Sequence, residues 1–566
     1  MADSSTIPPM TDQAVEDAKG EQPLTLDEGA TWTSPLDPLD AAERRRPVDS
    51  DLHEAQPTSK WWYIGLILVI AGAVLVRLYG IDNESIWYDE TYSLSYLTKP
   101  SLIECLQQVR RDEPSMPLYF ILEYLWARCF GHSVTTMRLL SVLFSVLTVP
   151  LIYGIGRDLY GRRAGLIAAL FVAGAPLHLR YGLEIRMYAL SWLLALCSVY
   201  TLLRVASDRR PALLWWVAHG LVSLALIWTH PFNALLLVAE GVVLTIFFLR
   251  RGRTRDWFIW MFLHATVAQT IIPWILLRDN SRMSMITSWI RVPDGEFVYH
   301  AFLRYVGAAY FVVPGHCPKW ILEWNYWLTK GLAVTPFLAA LILAGVVVFK
   351  WRTVITPVAW SAGERLSLLL AWAVLPPLIL IAISVVVRPC FVHRYTGYSS
   401  YALFLLVGAA LQSISWRPGA WFASTVVAGL LAVQTCIHVC SLPYRPEWKG
   451  VAERVATLAP KRPIYVNHIH AAHCLEFYLK RDRRLIPRFR TLEELCRHLP
   501  LDDAQRRVSW VILTANANNY SDAFEQLLKR QKIRYTKKVF PGGNARLLVF
   551  FISDKNMSEK DRGASG

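Results

Sequence analysis

Between Trp61 and Cys440 the sequence repeats one pattern, apolar stretches of about 16–22 residues separated by short polar loops. At a helical rise of 1.5 Å per residue, such a stretch spans roughly the 30 Å hydrocarbon core of a bilayer. Lipid offers no hydrogen-bond partners, so a chain of this kind must fold as a bundle of helices whose backbone groups are satisfied internally. The stretches predict crossings near 61–79, 137–155, 164–179, 187–203, 212–229, 232–249, 257–277, 331–349, 366–387, 396–415 and 419–440, eleven in all. Residues 116–130 carry Glu123 and Arg128. A charge at the centre of a crossing costs roughly 2.5–3.5 kcal/mol on insertion scales, so this segment is expected to lie along the interface. Only 18% of the chain is charged, against about 25% in soluble domains. That excludes a disordered protein, a coiled coil and an ordinary cytosolic enzyme.

The formal net charge of +15 would suit a nucleic-acid binder, but its distribution points elsewhere. Residues 1–60 hold thirteen acids against five Lys/Arg and few apolar residues, which predicts a disordered tail. They lack the basic start and apolar core of a signal peptide. If the tail is cytoplasmic, the inside loops 157–163, 204–210, 250–256, 350–365 and 416–418 hold 14 Lys/Arg in 40 residues. The outside segments 80–136, 178–186, 230–231, 278–330 and 388–395 hold 14 in 129. Lys and Arg collect on the cytoplasmic side of a membrane protein. The charge therefore reports topology: a multi-pass protein of the inner or plasma membrane, N-terminus cytoplasmic, with no nucleic-acid partner.

Eleven crossings place the C-terminus outside. Residues 441–553 change character and predict a small extracytoplasmic α/β domain. Strands are expected at 463–467, 508–514, 534–540 and 546–553, and helices at 447–458, 471–480 and 521–531. Residues 554–566 read as a polar tail. Residues 61–440 are then the membrane domain. Six of the nine cysteines map to the outside, where disulfides form, and Cys474 with Cys496 and Cys317 with Cys390 are conceivable pairs. No CxxC occurs.

Three short segments gather charge at the outer ends of crossings. The first holds Tyr88, Asp89 and Glu90, two adjacent carboxylates among aromatics about ten residues past the first crossing. Such a carboxylate can deprotonate a hydroxyl or bind a divalent cation. The second, from His178 to Tyr188, packs His178, Arg180, Glu184 and Arg186 between two crossings. Its guanidinium groups match the oxygens of a phosphate, and Glu184 could supply a second carboxylate. The third holds His393, Arg394 and Tyr395. The competing readings are a solvated acidic loop, snorkelling arginines and an interfacial anchor.

Taken in order, these pieces resemble the C superfamily of membrane glycosyltransferases (GT-C), in the branch akin to family 39 that includes protein O-mannosyltransferases and aminoarabinose transferases. The resemblance is carried by Arg77-Leu78-Tyr79-Gly80, Trp87-Tyr88-Asp89-Glu90, Pro114 through Tyr119 and Met137-Arg138-Leu139-Leu140-Ser141-Val142. It continues in Gly156 through Gly165, Tyr181 through Tyr188 and His393-Arg394-Tyr395, and Arg445 through Val455 is similar to the start of the outer domain in several such transferases. The likeness implies a polyprenyl-phosphate sugar donor, an acceptor glycan, lipid or protein, and inverting transfer of a hexose or pentose at the outer face. It implies catalysis by Asp89 with Glu90 beside it, and a donor-phosphate contact at Arg394, with Arg186 and Arg180 as further candidates. Glu184, His178 and Tyr88 would form a second acidic or acceptor-binding group. No cofactor is demanded, and Mg or Mn held by Asp89 and Glu184 stays open. The sequence departs from the pattern at Pro114-Ser115-Met116-Pro117, where relatives commonly carry His-Pro-Pro or Lys-Pro-Pro. A transporter or flippase of a lipid-linked or sugar substrate is the alternative function.

Overall fold

The computed structural model describes most of residues 60–552. Outside the description fall 1–59, 83, 208–210, 279–283, 285–286, 308–359, 441–444, 459–463, 467–468, 480–484, 488–508, 515–517, 531–534, 541–546 and 553–566. Seven of the described helices are long and apolar enough to cross a membrane: Lys60–Gly80, Val134–Tyr160, Tyr188–Ser207, Pro231–Arg250, Thr254–Leu276, Ala362–Val386 and Arg417–Cys440. Leu213–Thr229 and Ser399–Gln412 are shorter apolar helices at two further expected crossings. The stretch expected at 164–179 is divided. Arg162–Gly174 is one helix and Pro176–Tyr181 a second, because Pro176 has no N–H to continue the ladder and disfavours helix at Ala175. The crossing expected at 331–349 lies outside the described residues.

Local chemistry sets the ends. Ser133 Oγ accepts from Thr136 N at 3.1 Å and caps Val134–Tyr160. Ser361 and Glu364 form a reciprocal capping box on Ala362–Val386. Gly161, at φ +101°, makes the turn between Val134–Tyr160 and Arg162–Gly174. Those two helices then lie backbone to backbone. A Cβ on Gly156 would fall 2.6 Å from Gly165 Cα, and one on Gly408 2.5 Å from Ala164 O. Small residues allow this approach, which drives helix association where lipid supplies no hydrophobic force.

The connector between the first two long helices, residues 81–133, folds into three helices: Tyr88–Leu97, Leu102–Asp112 and Leu118–Phe130. The last covers the segment expected at the interface. Its 13 residues give about 20 Å, too short to cross alone. Glu123 within it is fully buried.

In the C-terminal region β1 (Ile464–Val466), β2 (Leu485–Pro487), β3 (Ser509–Thr514), β4 (Tyr535–Phe540) and β5 (Leu547–Ile552) form one sheet, in the order β2-β1-β3-β5-β4. β1 runs parallel to β2 and β3, whereas β5 is antiparallel to β3 and β4, with Val511 opposite Phe550. Four of the strands are those expected. β2 is an addition, and it is short and closed by a proline at a sheet edge. The helices Trp448–Leu458 and Ile469–Tyr478 bury Trp448, Val451, Val455, Cys474 and Leu475 in one core with Ile86, Leu94, Met137 and Ile185. The domain is thereby seated on the connector and the loop after Tyr181. Cys474 and Cys390 carry free thiols, which corrects the expected disulfides, and Cys317 and Cys496 lie outside the described residues.

Candidate active site

Asp89 and Glu90 occupy the first turn of Tyr88–Leu97, where the helix dipole favours negative charge. Neighbours in sequence, they have opposite surroundings. Glu90 has no exposed surface. Its Oε2 accepts from Trp87 N at 2.8 Å and from Arg445 Nη1 at 2.5 Å, with Arg138 Nη2 at 3.4 Å. Its Oε1 accepts from Ile185 N at 3.0 Å. Burial opposes its charge, but Arg445, Arg138 and the two N–H groups outweigh it and hold the carboxyl below the ordinary carboxylate range. Arg138 also donates to the carbonyls of Ile81 and Glu84 at 2.7 and 2.9 Å, fixing the path into the helix.

Asp89 faces the other way. Its Oδ2 meets Arg394 Nη2 at 3.2 Å, with the side chains 25% and 15% exposed. The Arg394 guanidinium lies 5.4, 5.6 and 5.8 Å from the rings of Tyr188, Trp289 and Tyr395. Burial works against its charge, but Tyr188, Asp89 and Tyr395 raise it, and Arg394 is held protonated more firmly than an ordinary arginine. A partly exposed carboxylate therefore meets an aromatic-walled cation.

Arg186 is close by but already engaged. It forms a fork with Glu113, Nη1–Oε2 2.9 Å and Nη2–Oε1 2.7 Å, and Nη1 also reaches Asp89 O at 3.4 Å. Ser115 Oγ donates to Glu113 at 3.1 Å. The 114–117 stretch carries no basic residue of its own, yet a guanidinium reaches it from elsewhere in the chain. Arg278 donates to Pro114 O at 2.8 Å and to Ser115 O.

Glu184 is buried against Arg445 (3.4 Å) and Arg180 (4.0 Å). Burial pushes its carboxyl up, against the pull of Arg445, Arg180 and Arg394. Tyr88 Oη pairs with Tyr92 Oη at 2.7 Å, and its ring lies 5.7 Å from His473 of the C-terminal domain. His178 does not join this group: it is buried, bonded to Ser400 Oγ at 2.8 Å and packed among Trp192, Tyr401 and Phe404. His393 bridges Tyr181 and Arg304, both at 2.9 Å. Among the described residues no three His, Cys, Asp or Glu side chains come together to hold a metal ion. Asp89 and Glu184 each face guanidinium groups instead, so this donor set does not fit a divalent cation.

Asp89, Glu90, Glu184, Arg186 and Arg394 are thus brought together in the structure, with Arg180 beside Glu184. Glu113, Arg138 and Arg445 join them, and none of the three stands out as a site residue in the sequence. Arg138 and Arg445 stand within segments that carry the family resemblance, which was the signal available. Glu113 had none beyond its charge.

The family of dolichyl-phosphate-mannose-protein mannosyltransferases matches residues 112–276. No curated protein matches the chain. Among solved structures, ArnT from Cupriavidus metallidurans bound to undecaprenyl phosphate is 15% identical. The match covers 87% of this chain and 98% of that one, with a TM-score of 0.51. The oligosaccharyltransferase of Archaeoglobus fulgidus in the apo form is 13% identical over 77% of this chain and 65% of its own, with a TM-score of 0.44.

Proposed function

We propose that this chain, a multi-pass membrane glycosyltransferase of the GT-C superfamily, transfers a sugar from a polyprenyl-phosphate donor to an acceptor hydroxyl, with inversion, at the outer face of the membrane. The observation that carries the reading is the Asp89–Arg394 pair, a partly exposed carboxylate against a protonated guanidinium. The undecaprenyl phosphate named for the similar ArnT structure supports a lipid-phosphate donor. The family match to mannosyltransferases weighs against the transporter reading.

The donor's phosphate displaces Asp89 from Arg394, and the guanidinium and its aromatic walls hold the phosphate oxygens. Asp89, released from its partner, accepts the proton of the acceptor hydroxyl. The acceptor oxygen forms a bond to C1 of the sugar as the bond from C1 to the phosphate oxygen breaks on the opposite face. The electron pair leaves on the phosphate, where Arg394 stabilises the developing charge. The products are the glycosylated acceptor and polyprenyl phosphate. One displacement inverts the anomeric centre. Arg186, neutralised by Glu113, positions the Asp89 backbone.

The charge asymmetry between loops supports an outer-face site, with 1–60 inside and 441–553 outside. No nucleotide-sugar pool exists there, so the donor must arrive on a lipid. The test supplies membranes containing the full-length protein with radiolabelled undecaprenyl-phosphate mannose, glucose and arabinose, and measures release of polyprenyl phosphate. The expected result is release from one of these donors that Asp89→Asn reduces by about 10²–10⁴-fold. Release undiminished in Asp89→Asn at normal expression overturns the reading.

A further inference from the structure

Arg445 stands at the entrance to the C-terminal domain, three residues before the Trp448–Leu458 helix, and its side chain is 2% exposed. It answers three carboxylates at once: Nε reaches Glu84 at 3.1 Å, Nη1 reaches Glu90 at 2.5 Å and Nη2 reaches Glu184 at 3.4 Å. Glu90 carries the connection onward. Through Trp87 N and Ile185 N it grips the backbone beside Asp89 and the backbone beside Arg186. Arg186 in turn touches Asp89 O. A buried carboxylate with every oxygen engaged is a fixed point, because releasing either oxygen would leave charge unpaired inside the protein.

We propose that Arg445 is a positioning residue for sugar transfer. Through Glu90 it holds Asp89 in register with the Glu184–Arg186 loop, so the C-terminal domain completes the active site. The inference rests on the reading of Asp89 as the base. It also changes the role of Glu90, which is expected from its sequence position to be catalytic. With no exposed surface, Glu90 does not meet substrate and acts through its neighbour. Reacting groups tolerate little displacement, since about 1 Å of misplacement can lower turnover about 100-fold.

The test uses the full-length protein in lipid nanodiscs and whichever undecaprenyl-phosphate sugar the wild type turns over. It compares Arg445→Lys, Glu90→Gln and Asp89→Asn. Arg445→Lys keeps the charge but loses the fork that spans three carboxylates. Glu90→Gln keeps the shape but loses the charge. Either variant decides the matter if the other does not fold. The expected result is a fall in kcat of about 100-fold for Glu90→Gln and a smaller one for Arg445→Lys, with donor KM within about threefold and the melting temperature retained. Wild-type kcat in both overturns the proposal. So does a kcat that falls only in step with the folded fraction, a change confined to KM, or failure of both variants to fold. If Asp89→Asn stays active, the functional reading itself falls. If Asp89→Asn is inactive while both other variants keep their turnover, only this inference does.

Discussion

Asp89 and Arg394 lie 305 residues apart in the chain and meet at 3.2 Å. Asp89 comes from the first turn of a helix and Arg394 from the short turn His393–Thr396. If Arg394 takes the donor phosphate from this pair, its loss must affect the leaving group more than ground-state binding. Arg394→Gln is expected to lower kcat by about 10²–10³-fold, the range seen when one preorganised donor to a developing anion is removed. Arg394→Lys should retain part of this, as a point charge without the planar fork. Steady-state release of polyprenyl phosphate against donor concentration checks both. An unchanged kcat with only KM raised would assign Arg394 to binding alone.

The Glu113–Arg186 fork is almost fully buried, with side chains 4% and 6% exposed. Breaking one half leaves a buried charge without its partner, which costs about 3–5 kcal/mol, whereas replacing both halves with apolar residues can be neutral. Glu113→Gln is therefore expected to lower thermal stability strongly. The double variant Glu113→Leu/Arg186→Met should recover the stability without recovering transfer, because the contact from Arg186 to Asp89 O is gone. Thermal unfolding and turnover on the same preparations separate the two effects.

Glu90 makes a prediction in pH. Its folded carboxyl titrates below the ordinary value of 4.5. The native state therefore binds a proton there less readily than the unfolded chain does. Its contribution to stability is complete above the ordinary carboxylate value and is lost as pH falls through the lowered folded one. Wild-type protein should lose melting temperature more steeply below about pH 4.5 than Glu90→Gln, whose amide does not titrate there. Parallel slopes for the two would show that Glu90 carries no such linkage.

The legible and illegible parts of this molecule divide along the range of the interactions. Lys60–Gly80 and Val134–Tyr160 could be read because a bilayer demands a continuous apolar run, and that demand is written locally. The role of Glu90 could not. Its partners Arg138, Ile185 N and Arg445 stand 48, 95 and 355 residues away, and no local pattern separates a fully clamped carboxylate from the open one beside it. Glu113 likewise has no local mark, because its partner Arg186 stands 73 residues away. His178 misled for the opposite reason: a polar residue near a helix end invites a functional reading, yet its ring is part of the bundle's packing.

Gly165 tests the packing that holds this arrangement. A Cβ there would fall on the carbonyl oxygen of Tyr153 and 2.9 Å from Arg157 N. Both are backbone atoms within a helix, so no side chain can swing aside to make room. The clash must be relieved by moving Val134–Tyr160 away from Arg162–Gly174. Val134–Tyr160 also carries Arg138 at its opposite end, the residue that grips Ile81 O, Glu84 O and Glu90. Gly165→Ala is expected to destabilise the protein by about 1–3 kcal/mol, the usual range for overpacking a close contact. It should also lower turnover although no site residue is changed. Gly154→Ala on the same helix, where a Cβ meets nothing within 4 Å, is the matched control. Equal melting temperatures for the two variants would show that the glycine contact does not set the spacing of these helices.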